Sequence, residues 1–214
     1  MSVPPNFDRL AKIYRWMELV SLGPLLWRCR CAFLGQIGSR RKALVFGDGD
    51  GRFTAKVLAE NSLILIDAVD ASAAMLAELK RRAGPNASRV TPHLADARFW
   101  MPNQANYDLI VTHFFLDCFT TEEVESIAAR VRACAAPGAI WIVSEFSIPG
   151  GWFGSIVARP LVAFLYWAFG LLTGLKTRAV PDYRDAVARV GFTLAGEQQR
   201  LLGLLVSELW LISD

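Results

Sequence analysis

The stretch ALVFGDGDGRFTAKVL, residues 43–58, places Gly47, Gly49 and Gly51 at alternate positions between an apolar run and a helix-like run. In an open parallel sheet, ligands bind outside the carboxyl ends of the strands, and the turn after the first strand is the usual place. Glycine lets the backbone approach a ligand closely, and the following helix presents free N–H groups to an anion. The stretch predicts a ligand-binding turn; the alternative is a tight turn without a ligand.

Apolar runs typical of strands alternate with helical patterns through the middle of the chain. Strands are predicted at 42–46, 63–69, 89–95, 107–114 and 138–146, and helices near 51–60, 72–83 and 121–135. This repeated order implies a parallel sheet with helices on both faces, which is the doubly wound α/β class.

The alternation of strands and helices ends near the carboxyl end of the given sequence. After a helix near 181–190, two apolar runs over 192–213 with a turn near Gly203 predict an antiparallel hairpin at the sheet edge. Upstream, Thr120 and Glu123 have the spacing of a capping box for the third helix. Pro137-Gly138 is expected to stop that helix before the next strand.

We predict one domain with four parts. They are an N-terminal helical lid over 1–40, a cofactor-binding core over 41–150, an apolar helical insert over 151–180, and a helix with the edge hairpin over 181–214. The insert contains the apolar stretch 152–175, which Arg159-Pro160 interrupts. About 16 apolar residues are left, fewer than the roughly 20 that cross a bilayer, so a buried or interfacial helix is expected.

Composition narrows the function classes. The formal charge is +3, and no run of Lys and Arg exceeds three residues, so a nucleic-acid partner is not expected. The hydrophobic fraction of 53% favours an apolar pocket, a partner or a membrane surface. The four cysteines form no C-x-x-C pair and the N-terminus lacks a secretory pattern, so we expect reduced thiols, no metal site and a cytoplasmic location, with membrane association as an option.

Two phosphate-binding motifs fit the glycine stretch poorly. A dinucleotide fingerprint places Arg52 or Thr54 where its last glycine belongs, and a phosphate loop requires Lys where Arg52 stands. Two downstream carboxylates fit better. Asp70 ends the second strand, where it can accept both hydroxyls of a ribose, and Asp96 ends the third, where it can accept an adenine amine proton. The alternatives are a helix cap for Asp70 and an ordinary loop acid for Asp96.

These motifs together resemble those of the class I S-adenosylmethionine-dependent methyltransferases. VFGDGDG (45–51) looks like the first motif of that family, VDASAAML (69–76) like the second, ADA (95–97) like the third, and YDLIVTHFFLD (107–117) like the strand and loop that face the transferable methyl group. The segments 6–28 and 143–149 are similar to the ubiquinone and menaquinone methyltransferases.

The resemblance implies a Rossmann-like, mostly parallel sheet of seven strands and S-adenosylmethionine as the cofactor. The residues that it assigns to cofactor binding are Gly47, Asp48, Gly49, Asp50, Gly51, Asp70, Ala71, Asp96, Ala97 and His113. The chain departs from the family pattern at Val45, where an acidic residue is usual. The contact that this acidic residue makes near the methionine amino group is then lost, made through water, or taken over by Asp48 or Asp50.

Catalysis is an in-line displacement that depends chiefly on positioning, and a base is needed only if the acceptor loses a proton. The candidates are His113, Asp117 and Tyr14. The alternative for His113 is a purely structural role, that for Asp117 is an Asx turn, and that for Tyr14 is simple helix packing. Tyr14 with Trp16 is also a candidate for a lid over the sulfonium.

The insert carries many aromatic residues where this family builds its substrate side. They are Trp152, Phe153, Phe164, Tyr166, Trp167 and Phe169. They indicate a small hydrophobic or aromatic acceptor such as a quinone precursor, a lipid or a secondary metabolite, and peripheral membrane contact through 152–175. Core packing or homodimer packing is the alternative.

Two other functions fit the same sequence. Polyamine synthases of the aminopropyltransferase type resemble this fold and have a turn close to residues 47–51. A non-catalytic protein that binds S-adenosylmethionine or lipid is the second alternative, because Val45 departs from the pattern and no base is unambiguous.

Overall fold

The computed structural model describes residues 23–102, 105–165 and 181–212. Its centre is one sheet of seven strands: β1 Lys42–Phe46, β2 Leu65–Asp70, β3 Val90–Leu94, β4 Tyr107–His113, β5 Ala135–Phe146, β6 Phe192–Arg200 and β7 Leu205–Ile212. The strand order is β3-β2-β1-β4-β5-β7-β6. The first five strands are parallel, and β7 runs antiparallel to both of its neighbours. The predicted doubly wound sheet with its edge hairpin is confirmed.

The helices that pack on the sheet in the described part include α1 Gly23–Arg30, α2 Arg52–Glu60, α3 Ala73–Ala83, α4 Thr121–Cys134 and α5 Tyr183–Arg189. One apolar core joins the sheet to α2 and α3, with Phe53 and Leu76 among its buried residues. The other joins it to α4 and α5 through residues such as Ile127 and Val187. The order of the strands reverses between β1 and β4, so the carboxyl ends of these two strands mark the ligand-binding crevice of such a fold.

The start of β5 corrects one sequence expectation. Pro137-Gly138 does not end α4: the helix ends at Cys134, and Ala135 is already extended and paired with Tyr107 of β4. The pairing between β4 and β5 then shifts register before Ile140 meets Leu109. Pro137 is accommodated in this irregular stretch because a residue without an N–H is tolerated where the ladder is interrupted.

The insert after β5 begins as a helical turn, Gly151–Phe153, and continues as a π-helical turn, Gly154–Ala158. Within the described residues, no helix is long and apolar enough to span a bilayer. Residues 1–22 of the expected lid and residues 166–180 of the expected insert lie outside the described part. The division into lid, core, insert and hairpin stays a prediction.

The capping box at the start of α4 is present and gives a test of local stability. The Thr120 hydroxyl accepts from the Glu123 N–H at 3.3 Å, and the Glu123 carboxylate accepts from the Thr120 N–H at 3.0 Å. We expect Thr120→Ala to lower the free energy of unfolding by about 1 kcal/mol in urea denaturation. Ser126→Ala, an exposed hydroxyl within the same helix, is the control; an equal loss for both would contradict the capping role.

Candidate functional site

The glycine turn lies at the carboxyl end of β1, and residues from two other elements pack closely against it. All three glycines have positive φ values, +59° at Gly47, +63° at Gly49 and +78° at Gly51. A Cβ on Gly47 would lie 2.3 Å from the ring of Phe115, and one on Gly51 would lie 2.5 Å from the Cα of Leu79. Glycine is therefore required at both positions by conformation and by space.

The two aspartates of the turn have different environments. Asp50 accepts from Arg52 Nε at 3.0 Å and pairs with Arg82 at 3.1 Å. Asp48 is buried, and its Oδ2 accepts from the Thr54 N–H at 2.8 Å. Its Oδ1 has no hydrogen-bond partner in the described part of the chain. Burial raises the pKa of Asp48, and hydrogen bonding to Thr54 and the charge of Arg30 oppose that shift.

Asp70 lies at the end of β2, and Asp96 follows the neighbouring strand β3. The main chains of β2 and β3 stay joined there, since the Ala95 N–H donates to the Asp70 carbonyl oxygen at 3.0 Å. The Asp70 carboxylate accepts from the Ser72 N–H at 2.8 Å, but Ser72 itself caps α3 by accepting from Met75. Helix capping therefore falls to Ser72, and the Asp70 side chain supports the turn before it.

Asp96 forms an ion pair with Arg98. The guanidinium Nε lies 3.0 Å from each carboxylate oxygen, and the Arg98 N–H donates to Oδ1 at 2.9 Å. Burial would raise the pKa of Asp96, but these bonds to Arg98 outweigh it and lower the pKa. Of the neighbouring residues assigned to the cofactor, Ala71 is exposed, and Ala97 is buried with its carbonyl oxygen accepting from Arg130 at 2.9 Å.

His113 is buried at the end of β4, with its ring edge-on to Phe53 at a centroid distance of 4.5 Å. Its Nε2 has no hydrogen-bond partner among residues 23–102, 105–165 and 181–212. Burial, followed by the charge of Arg30, lowers the pKa of His113 well below its ordinary value, so the imidazole is neutral at pH 7. Its assignments to catalysis and to the cofactor stay predictions.

Glu145 is a buried carboxyl that the sequence interpretation did not single out. It is fully buried in β5, and its Oε1 accepts from the Phe115 N–H at 3.1 Å and the Leu116 N–H at 2.8 Å. It thereby holds the loop that presents Asp117, which is itself buried. Burial, followed by the charge of Asp117, raises the pKa of Glu145 well above its ordinary value. The signal in the sequence that could have identified Glu145 is an acidic residue within the apolar run 138–146, which predicts a buried strand.

Arg30 is a second missed residue, a cation buried on α1 above the ring of Phe114 at 5.8 Å. Its charge acts on both Asp48 and His113. The remaining predicted catalytic residue, Tyr14, lies with Trp16 outside the described residues. The structure thus places Asp48, His113, Asp117 and Glu145 at the carboxyl ends of β1, β4 and β5.

Comparisons with known proteins agree with this geometry. Residues 43–138 match the family model described as a methyltransferase domain. A sequence search among curated proteins finds no significant match.

Many solved structures share the fold. The N-methyltransferase NodS from Bradyrhizobium japonicum, solved with S-adenosyl-L-homocysteine, is 14% identical, with 97% of this chain and 100% of that chain covered and a TM-score of 0.67. A TehB-like S-adenosylmethionine-dependent methyltransferase from Corynebacterium glutamicum is 14% identical, with coverage of 96% and 98% and a TM-score of 0.63. The mitomycin 7-O-methyltransferase MmcR is 14% identical, with coverage of 94% and 58% and a TM-score of 0.71.

Residues 43–138 thus match a methyltransferase domain, and the chain has a Rossmann-like methyltransferase fold whose implied cofactor is S-adenosylmethionine. The described residues fit that cofactor in two respects. The turn leaves no room for a side chain at Gly47 or Gly51, and Asp48 Oδ1 lacks the partner that a buried carboxylate oxygen requires.

The raised pKa of Glu145 predicts a pH dependence of stability. A carboxyl whose folded pKa exceeds its unfolded value is stabilising below the unfolded pKa, and this contribution is lost as pH rises through the folded pKa. Glu145→Gln keeps an oxygen that can accept from Phe115 and Leu116. We therefore expect the variant to gain stability relative to the wild type as pH rises from about 4.5, measured by urea denaturation at several pH values.

The control is Glu60→Gln, which alters an exposed carboxyl paired with Lys56 at 2.7 Å. Removing this exposed ion pair should change the free energy of unfolding by less than about 1 kcal/mol. A Glu145→Gln variant that loses stability relative to the wild type as pH rises would contradict the account.

Proposed function

We propose that this protein transfers the methyl group of S-adenosylmethionine to a small hydrophobic or aromatic acceptor, such as a quinone precursor, a lipid or a secondary metabolite. The observation that carries the proposal is the unpartnered, buried Asp48 Oδ1 inside a turn that excludes side chains. The strand-end carboxylates Asp70 and Asp96 supply the second half of the argument. We also propose a cytoplasmic location.

Asp48 is the residue that compensates for Val45. Val45 is buried in β1, paired with Ala68 of β2 and Val111 of β4, and its side chain belongs to the apolar core. Asp50 already has two arginine partners. Asp48 retains an oxygen with no described partner at the turn, where it would accept a hydrogen bond from the cofactor's amino group.

The adenosine end would be held by Asp70 and Asp96. Asp70 would accept from the ribose hydroxyls while its Oδ1 keeps the Ser72 N–H. Asp96 would accept from the adenine amine in competition with its ion pair to Arg98, so we expect Asp96 to contribute less than Asp70. When bound, the cofactor supplies an electrophilic methyl group on a positively charged sulfur.

Titration calorimetry with S-adenosylhomocysteine tests this assignment. Asp48→Asn should weaken binding roughly tenfold to hundredfold, because a hydrogen bond between charged groups is lost. Asp50→Asn is the matched control and should change affinity by less than about threefold, since its partners are protein arginines. Asp70→Ala should weaken binding at least as much as Asp48→Asn.

Two outcomes would contradict the cofactor assignment. One is the absence of binding by the folded wild-type protein, and the other is an affinity that Asp70→Ala leaves unchanged. Equal losses for Asp48→Asn and Asp50→Asn would contradict only the role given to Asp48.

The acceptor side is supported by aromatic residues on the loop after β4 and at the end of β5. The Phe114 and Phe146 rings lie 5.1 Å apart, and Phe115 packs against Phe119 at 5.0 Å. Such a wall suits a flat or lipophilic molecule, and water would be excluded from the displacement there. The solved structures named above include an N-methyltransferase and an O-methyltransferase, and the assay below identifies the acceptor.

The proton that a hydroxyl acceptor releases would go to Asp117 or His113. His113 is neutral and has a free Nε2 within the described part of the chain, and Glu145 holds the loop of Asp117 in place. The lowered pKa keeps the His113 ring neutral, and so able to accept a proton at pH 7, but it also makes the ring a weak base.

A radiolabelled methyl group on the cofactor gives the assay for the acceptor. We expect this label to appear in organic-soluble products with a panel of quinols, phenols and lipids. In a separate assay, with decarboxylated cofactor labelled in its aminopropyl group, we expect no label in the amine product from putrescine. Aminopropyl transfer to putrescine would establish the polyamine synthase alternative, which the single acid of residues 113–119 disfavours. Tight cofactor binding without any turnover would favour the non-catalytic alternative.

A further inference from the structure

Two neighbouring elements expose large apolar side chains. Trp152 and Ile156, four residues apart in the helical segment after β5, are 70% and 69% exposed. Leu202, in the turn between β6 and β7, is 72% exposed, and Leu201 beside it is partly exposed. We call these four residues the apolar rim.

Close packing of the helical segment leaves Trp152 and Ile156 on its outer side. A Cβ on Gly154 would lie 1.6 Å from the carbonyl oxygen of Pro149, so the segment sits directly on the backbone at the exit of β5. On the same inner side, Ala158 and Val162 are buried against Leu204. The exposure of Trp152 and Ile156 is therefore fixed by close backbone packing.

The turn between β6 and β7 holds its leucines in a costly conformation. Leu201 and Leu202 have φ values of +51° and +54°, in the left-handed region that favours glycine and asparagine. A turn selected for stability alone would carry Asn-Gly at such positions. Two leucines there, with one of them among the most exposed apolar residues described, indicate that their side chains serve a purpose at the surface.

The two elements are joined by direct contacts. The Ser147 N–H donates to the Leu204 carbonyl oxygen at 2.8 Å. A Cβ on Gly203 would lie 3.2 Å from the Cβ of Pro149. The leucine turn and the helical segment thus pack against each other, and the residues of the apolar rim lie on two elements in direct contact.

The charges of this region favour an anionic surface. Residues 146–165 contain no aspartate or glutamate, and their one cation, Arg159, is exposed. Arg200 directly precedes the leucine turn. Apolar side chains with only basic residues among them are typical of segments that bind membranes containing anionic lipids.

We propose that the apolar rim docks on an anionic lipid membrane, with Trp152 and Leu202 inserted at the headgroup boundary. Tryptophan is suited to that boundary because its ring is apolar and its N–H is polar. The proposal does not depend on the cofactor or on methyl transfer. It supplies a route by which a lipophilic acceptor would reach the protein.

Vesicle flotation with the full chain tests the proposal. The wild type should bind vesicles of phosphatidylcholine with phosphatidylglycerol more strongly than vesicles of phosphatidylcholine alone, and added salt should weaken the binding. Trp152→Ser and the double variant Leu201→Asn/Leu202→Gly should each lower the partition coefficient by roughly tenfold. Leu63→Ser, which alters a leucine 62% exposed in the turn before β2, should bind like the wild type.

The double variant separates a surface role from a structural one. Asn-Gly relieves the left-handed leucines, so its Tm should rise by about 3 °C while its vesicle binding falls. The proposal would be overturned by a wild type that does not bind vesicles, or by rim variants that bind as well as the wild type. A dimer in light scattering that Trp152→Ser dissociates, without vesicle binding, would assign the rim to a second copy and equally overturn it.

Discussion

The candidate site depends on the glycine turn at residues 47–51, against which two neighbouring residues pack closely. Phe115 from the loop after β4 and Leu79 from α3 occupy the space where side chains at Gly47 and Gly51 would lie. The turn therefore fixes the positions of α3 and of the loop that carries Asp117 relative to β1. A side chain at either glycine would have to displace packed atoms as well as adopt a left-handed conformation, so the crevice and the core are built together.

The polar groups along this edge follow from the same packing. Asp48, His113 and Glu145 are each buried at or near the carboxyl end of a strand, and each has one side-chain atom without a partner in the described part of the chain. Buried polar atoms nearly always have a hydrogen-bond partner, and burying such an atom without one costs free energy. Asp48 and His113 lie where the strand order reverses, which is where sheets of this kind bind their ligands, and a bound molecule with hydrogen-bonding groups would supply the missing partners.

Sequence periodicity was sufficient for the sheet, because buried parallel strands such as Lys42–Phe46 have few alternatives once helical patterns flank them. It was wrong at Pro137-Gly138, since strand pairing of Ala135 ended the helix before the local breaker did. The choice between Asp48 and Asp50 depended on which carboxylate meets Arg82 from α3, a contact between residues 32 positions apart that no local pattern encodes. Glu145 was missed for a related reason: its partners are backbone N–H groups of a distant loop.

A crystal structure of the protein with S-adenosylhomocysteine tests the central claim most directly. The account predicts the ligand in the crevice between β1 and β4, with its amino nitrogen about 3 Å from Asp48 Oδ1 and its ribose hydroxyls on the Asp70 carboxylate. A ligand whose amino group is held by Asp50 or by backbone alone, with Asp48 bonded only to Thr54, would contradict the role of Asp48. A ligand bound away from the glycine turn would contradict the whole assignment.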